Sequence, residues 1–464
     1  MADTKSYAQL ELLIGGRWRQ GSEGKTEPVV NPATGEELGQ LPHAAAQDLD
    51  EAIAASQAGF EIWSLTPAHE RQAVIDRAVV LLRERHARIS RILTLENGKP
   101  LAEAELEITF VADTLKWYGE EARRAYGRII PARAPNLRTH VLHEPVGPCV
   151  AFAAWNFPGT NVIRKIAGPV AAGCSLILKA SEETPGTCIE IARCLQDAGL
   201  PGGVLNLVFG VPDTISRHLL ASPVPRKVSL TGSTALGKHL SELAARTLKR
   251  CTMELGGHAP VVIAADCDLD AAIATMVKTK IRNAGQVCIS PTRFLVEKAV
   301  YGDFLDGFSE AMAATRLGNG LEKDTDMGPL IAGRRVEFMN ALIDDAASKG
   351  AKVTTGGNAG ERSFFEPTVL ADTTSQMRAM NEEPFGPLAL VSPVEDLEAA
   401  VAEANRLPVG LAAYAFTRSH ASSLYLQQKL NAGMIAINQP AVSLPEAPFG
   451  GVDESGYGSE GGSE

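Results

Sequence analysis

Cys288 lies in the run Ile281-Arg282-Asn283-Ala284-Gly285-Gln286-Val287-Cys288-Ile289-Ser290, just after a glycine-containing bend. A thiol held outward on irregular backbone can reach a substrate carbon, whereas a cysteine inside an apolar strand or helix is usually inert packing. Cys174, and Cys251 near Met253, read as the inert kind. Two distant segments complete a candidate site. Trp155-Asn156-Phe157-Pro158 falls between a candidate strand and a helix. The Asn156 amide there either donates to a developing oxyanion, together with the main-chain N–H of the cysteine, or caps the following helix. Thr252-Met253-Glu254-Leu255-Gly256-Gly257 places a carboxylate at a strand end before a glycine pair. In an apolar run Glu254 gains a raised pKa, which suits a general base near neutral pH. Pointing outward, it would be an ordinary solvated side chain.

Two further segments have the chemistry to hold a dinucleotide. Leu230-Thr231-Gly232-Ser233-Thr234 reads as a strand end, a turn that exposes amides, and a helix start. Such an N-terminus can hold a pyrophosphate, although the spacing is not G-x-G-x-x-G. Lys179-Ala180-Ser181-Glu182 ends a neighbouring strand. Glu182 either accepts both hydroxyls of an adenosine ribose, repelling a 2′-phosphate, or forms a surface ion pair.

The elements that position these residues follow from periodicity. Gln47 to Asn97 is helical in pattern, with Ile75, Ala78, Val79 and Leu82 three and four apart. Gly98-Lys99-Pro100 breaks it, and a second helical stretch covers Leu101 to Tyr126. Residues 137–144 alternate like a half-solvated strand that Pro145 ends. From Pro148 to Leu255 strands near 150–154, 175–179, 204–208, 227–230 and 250–254 alternate with helices, which implies a parallel sheet covered by helices. A second α/β region follows, with strands near 293–296 and 388–391. The Gly-, Pro- and Ser-rich stretch from Gly433 onward reads as extended chain docked onto another body.

The totals bound the partners. Among 464 residues Lys plus Arg is 44 and Asp plus Glu 55, so the formal charge is −11, which argues against nucleic acid or an anionic membrane. Seven scattered cysteines without a CxxC pair favour a reducing compartment over a disulfide framework, and the nine histidines suggest no metal cluster. The polar start, Met1 to Leu10, and the absence of a long apolar run predict a cytoplasmic protein.

Together the segments resemble the aldehyde dehydrogenase superfamily. Glu96-Asn97-Gly98-Lys99-Pro100, Trp155-Asn156-Phe157-Pro158, Lys179 to Glu182 and Gly232-Ser233-Thr234 occur in the family's order. So do Glu254-Leu255-Gly256-Gly257, Gly285-Gln286-x-Cys288, Glu382-Glu383-Pro384-Phe385-Gly386-Pro387 and Pro448-Phe449-Gly450-Gly451. The resemblance implies an α/β fold. Its dinucleotide-binding domain would comprise residues 1–126 and 146–255, its catalytic domain 256–432, and its oligomerisation segments 127–145 and 433–464. It implies that Cys288 attacks an aldehyde, that Asn156 holds the oxyanion and that Glu254 activates water to hydrolyse a thioester. Trp155, Lys179, Glu182, Gly210, Gly232, Ser233, Glu383 and Phe385 would line NAD, with NADP as the alternative. A homodimer or homotetramer is expected. A catalytically idle binding protein is the opposing reading, against which the intact trio stands.

The substrate expectation rests on Arg164, whose context Ile163-Arg164-Lys165 looks like succinate-semialdehyde dehydrogenases, and on Arg282, which matches the same group. Arg293 is a candidate third contact, with Phe157, Ser443 and Phe449 along the tunnel. Two guanidiniums suit a substrate with a distant carboxylate. Succinate semialdehyde is therefore expected, with 2-oxoglutarate semialdehyde or a broad aldehyde range as alternatives, since the 438–446 loop is longer than the matching one in typical relatives. Three departures from the family pattern matter. Ala154 replaces a usual Pro. Ser290 removes a second cysteine that could bridge to Cys288. The sequence stops at Glu464, so a shortened oligomer edge is expected.

Overall fold

The computed structural model describes residues 7–463; Met1–Ser6 of the polar start, and Glu464, lie outside the described residues. Short apolar runs form two sheets. The first has eight strands, and five of them run parallel in the spatial order Leu205–Val208, Leu176–Lys179, Cys149–Phe152, Lys227–Thr231, Arg250–Glu254. From Cys149–Phe152 the chain winds outward one way through 176–179 and 205–208. It then crosses back to lay Lys227–Thr231 on the other flank. Ligands bind beyond the carboxyl ends of strands at such a reversal. Trp155-Asn156 and Gly232-Ser233 follow those two strands directly.

The second sheet has seven strands, parallel except at the edge pair Lys352–Thr355 and Thr368–Ala371. Arg293–Glu297 lies near its centre, flanked by Leu388–Val394 and Pro260–Ile263.

The predicted strands of the first region are found to within about two residues of their read limits. The helical tract from Gln47 divides into Ala46–Trp63, Ala68–Glu84 and His86–Asn97, interrupted at Ser64–Pro67 and Arg85. Helix-compatible residues lie on both sides of each break, and the first is marked only by Pro67. The 137–144 alternation yields only Thr139–Val141, paired with Arg128–Ile130 in a two-stranded ribbon. Within the chain, the stretch 433–463 adds edge strands to both sheets. Met434–Ile437 is the edge strand of the second sheet, and Gly456–Tyr457 pairs with Arg250–Glu254 at the edge of the first. Edge main-chain groups need partners, and this chain supplies them. Among the described residues no helix is long and apolar enough to cross a membrane.

Two helices packed on the first sheet begin with the same triplet, Pro158-Gly159-Thr160 and Pro185-Gly186-Thr187, and neither has a side-chain cap of its own. Proline suits the first turn, but the N–H groups that follow it remain unpaired. Buried glutamates from neighbouring helices accept them. Glu107 Oε1 accepts from Gly159 N at 2.8 Å and Thr160 N at 3.0 Å. Glu96 accepts from Gly186 N at 2.7 Å, from Thr187 N at 2.9 Å, and from the hydroxyls of Thr187 and Tyr7. Burial pushes the Glu96 carboxyl up to about 7 against the pull of these donors.

A measurable consequence follows for stability. Glu96→Ala strands several buried donors, each costing about 1–3 kcal/mol, so the urea unfolding midpoint should fall clearly. An unchanged midpoint would show that this cap contributes nothing.

Candidate active site

A cavity of about 770 Å³ opens between the two sheets, and Asn156, Glu254 and Cys288 all line it. Three distant stretches of sequence therefore meet at one place. The Cys288 loop is reached through three consecutive left-handed residues, Asn283 (φ 47°), Ala284 (φ 52°) and Gly285 (φ 71°). That conformation costs roughly 1–2 kcal/mol for each non-glycine residue, so the surroundings must hold it. Asn283 N donates to Glu103 Oε2 at 2.9 Å, and Gln286 Nε2 donates back to Asn283 O at 3.1 Å. Gly285 has no alternative residue here, because a Cβ would sit 2.1 Å from the Gly386 carbonyl oxygen.

The Asn156 side chain is oriented by its neighbours. Its Oδ1 accepts from Asn161 Nδ2 at 3.0 Å, which turns the NH₂ toward Gln286 O at 3.1 Å. The second N–H is left for a ligand in the cavity. Asn156 does not cap the next helix; Phe157 occupies the cap position and Glu107 takes the N–H groups. Glu254 is 3 % exposed and does not face solvent. Its Oε1 has no hydrogen-bond partner, and burial, reinforced by Glu460, holds its carboxyl well above the usual range against Lys165 and Arg164. Cys288 is half-buried at the cavity floor, and its thiol is pushed up to about 12, first by burial and then by Glu383 and Glu254.

The dinucleotide candidates other than Lys179 line two adjoining cavities. Thr231, Gly232, Ser233, Trp155, Glu383 and Phe385 lie along the large one. Ser233 caps the Thr234–Ala245 helix, its hydroxyl accepting from Leu236 N at 3.3 Å, so the helix N-terminus faces the cleft. Trp155 and Phe385 meet edge to face at 5.6 Å. Burial raises the Glu383 carboxyl to about 8, and a Cβ at Gly256 would come within 2.6 Å of its Oε2. A second cavity, about 440 Å³, is lined by Glu182, Gly210 and Val211, and Arg334 lies on both. Glu182 accepts from Lys179 Nζ at 2.6 Å and from Gly210 N at 2.9 Å. A helix N-terminus between two carboxylates fits a diphosphate joined to two riboses. The residues present therefore fit NAD(P).

At the other end Arg164, 7 % exposed, donates to Ser443 Oγ at 2.8 Å. Its guanidinium lies 4.1 Å from the Phe449 ring centroid and 5.6 Å from that of Phe110. Arg282 also lines the cavity, 4.7 Å over Phe157. Arg293 does not belong with them, and its assignment as a substrate contact is corrected. It is fully buried, donating to the carbonyls of His258 (3.1 Å), Glu403 (2.9 Å) and Ala404 (2.9 Å). With its fork spent on main chain it is a structural tie. Conversely, sequence reading missed Lys99, Glu107, Asn161 and Asn283, which surround Asn156, and Lys165 and Glu460, which adjoin Glu254. For Glu107, Asn161 and Lys165 the signal was a polar residue in a helical stretch; Lys99, Asn283 and Glu460 lie in breaks and loops.

The chain belongs to the aldehyde dehydrogenase family, whose model matches residues 18–464. It is 50 % identical over 461 residues to a 4-(hydroxymethyl)benzenesulfonate dehydrogenase of Comamonas testosteroni, covering 99 % of this chain and 96 % of the relative. It is 37 % identical over 461 residues to the NADP(+) succinate-semialdehyde dehydrogenase of Escherichia coli, covering 99 % and 95 %. A solved succinate-semialdehyde dehydrogenase from Burkholderia pseudomallei superposes with a TM-score of 0.97 at 39 % identity, covering 100 % of this chain and 96 % of that one. The family and the α/β fold read from the motifs are thereby shown, as is an NAD(P)-dependent aldehyde oxidation.

The raised thiol has a kinetic signature. The thiolate is the reactive form, so inactivation of the cofactor-free protein by iodoacetamide should rise about tenfold per pH unit from pH 7 to 10. A plateau below pH 9 would contradict a thiol held near 12.

Proposed function

We propose that this protein oxidises aldehydes carrying an anion remote from the carbonyl, with succinate semialdehyde as the substrate and NAD as the preferred cofactor. One observation carries the reading: a buried, tethered guanidinium, Arg164, shares a cavity with Cys288. The sulfur of Cys288 adds to the carbonyl carbon with loss of the thiol proton. Asn156 Nδ2 and the Cys288 N–H receive the oxyanion. NAD(P) held along Trp155, Gly232, Ser233, Glu383 and Phe385 would supply the hydride acceptor needed to turn the adduct into a thioester. Glu254 takes a proton from the water that then adds to the thioester, releasing the carboxylate product and regenerating the thiol. Burial that keeps Glu254 basic suits this role.

Carboxylate and sulfonate oxygens are both acceptors for a guanidinium, so the names of the two relatives point to the same recognition chemistry. The aromatic wall of Phe110, Phe157 and Phe449 favours a second reading, an aromatic aldehyde with a para anion. For the cofactor, Glu182 beside Glu27 and Glu183 makes the smaller cavity unfavourable to a 2′-phosphate. Unpaired cysteines support a cytoplasmic setting. The exposed Ile129 and Ile130 of the 128–141 ribbon, with Leu142 just after it, support a homodimer or homotetramer, which sedimentation would read directly.

A panel of succinate semialdehyde and hexanal, each with NAD and NADP, tests the reading. A lost charge-assisted hydrogen bond of about 1.5–3 kcal/mol predicts that Arg164→Ala raises the KM for the semialdehyde roughly 10- to 100-fold. The KM for hexanal should stay almost level, and kcat/KM should favour NAD. An unaltered semialdehyde KM would remove the anion subsite; equal use of NADP would remove the role given to Glu182.

A further inference from the structure

Asn156 is oriented at its side chain, but its main chain is held as well, from behind, by a buried cation. The Asn156 carbonyl oxygen accepts from Lys99 Nζ at 3.1 Å and from Asn283 Nδ2 at 2.8 Å. Lys99 is 1 % exposed. Its ammonium pairs with Glu107 Oε2 at 2.6 Å and lies 3.8 Å from the Phe157 ring centroid. The other oxygen of Glu107 caps the helix that starts two residues after Asn156. Lysine, glutamate, helix start and Asn156 carbonyl thus close a ring around residues 156–160.

Burying an ammonium is expensive unless it is paired and hydrogen-bonded. An apolar side chain would hold the two helices together as well. What it could not do is grip a single carbonyl oxygen and so fix the rotation of the Asn156 peptide, whose side chain lines the cavity that Cys288 also lines. We propose that Lys99 is a positioning residue, which through the main-chain carbonyl of Asn156 sets the oxyanion-binding amide against the Cys288 sulfur. This rests on the reading of Asn156 as the oxyanion donor.

The test is a mutant cycle on p-nitrophenyl acetate with cofactor-free protein. The sulfur of Cys288 bonds the acetyl carbon through an oxyanion, p-nitrophenolate leaves, the thiol proton passes to solvent, and no hydride acceptor is needed. Asn156→Ala should slow acylation on the order of 10²-fold. Lys99→Met should slow it on the order of tenfold through misplacement alone. In the Asn156→Ala background, Lys99→Met should change the rate by less than about twofold, because no amide remains to be misplaced. Equal slowing in both backgrounds, or none in the native one, overturns the positioning role. An unchanged rate in Asn156→Ala overturns the oxyanion reading itself and the positioning role with it. Should Lys99→Met fail to fold because Glu107 is left unpaired, Lys99→Met with Glu107→Gln removes both charges together, and the same cycle decides.

Discussion

Where the Cys149–Phe152 strand gives way to the Pro158–Ala172 helix, the main chain leaves the sheet and its polar groups lose their ladder partners. A buried main-chain group without a partner is costly, and several here are satisfied by side chains. The Ala154 carbonyl takes Asn161 Nδ2 at 3.2 Å, and the Trp155 carbonyl takes Asn97 Nδ2 at 3.2 Å. The Asn156 carbonyl takes Lys99 and Asn283, and the N–H groups beyond it take Glu107. The Glu96-Asn97-Gly98-Lys99-Pro100 run thereby gains a physical explanation. Glu96 caps one helix, while Asn97 and Lys99 hold the turn that carries the oxyanion donor.

Rigidity of that turn matters because burial shifts three ionisable groups that line the cavity. Burial raises the Cys288 thiol, the Glu254 carboxyl and the Glu383 carboxyl in the same direction, away from the charged form. In so weakly screened a setting an oriented amide N–H has a larger effect on developing negative charge than it would in water. The cationic groups are placed with restraint: Lys165 is bound to Glu460, and Arg164 is held by Ser443. They offset part of the desolvation at Glu254 without neutralising it. The same tether leaves Arg164 able to meet an anion without first ordering a flexible side chain, which limits the entropic cost of binding.

Legibility of the site tracked the kind of signal each residue carried. Cys288, Asn156, Glu254, Gly232 and Ser233 stand at strand ends or irregular turns, where backbone pattern and residue type agree. Family order then joined them. Arg164 and Arg293 show where that reading stops. Both are arginines in apolar surroundings; one faces a cavity between sheets, the other is spent on three carbonyls inside the second domain. Local sequence contains no term that separates a cavity wall from a core. Likewise the helical pattern from Gln47 to Asn97 hid two helix breaks, since spacing does not report whether the backbone is continuous.

By itself, then, the amino-acid sequence determined the α/β alternation, the strand ends that bear chemistry and the family to which the motifs belong. Those features are written in local spacing and in residue types that few other roles require. Only tertiary structure decided which arginine meets the cavity, which carboxylate caps which helix, and how residues 433–464 divide between the two sheets. Such outcomes depend on which distant groups satisfy one another's hydrogen bonds in a low-dielectric interior, and sequence separation does not encode that pairing.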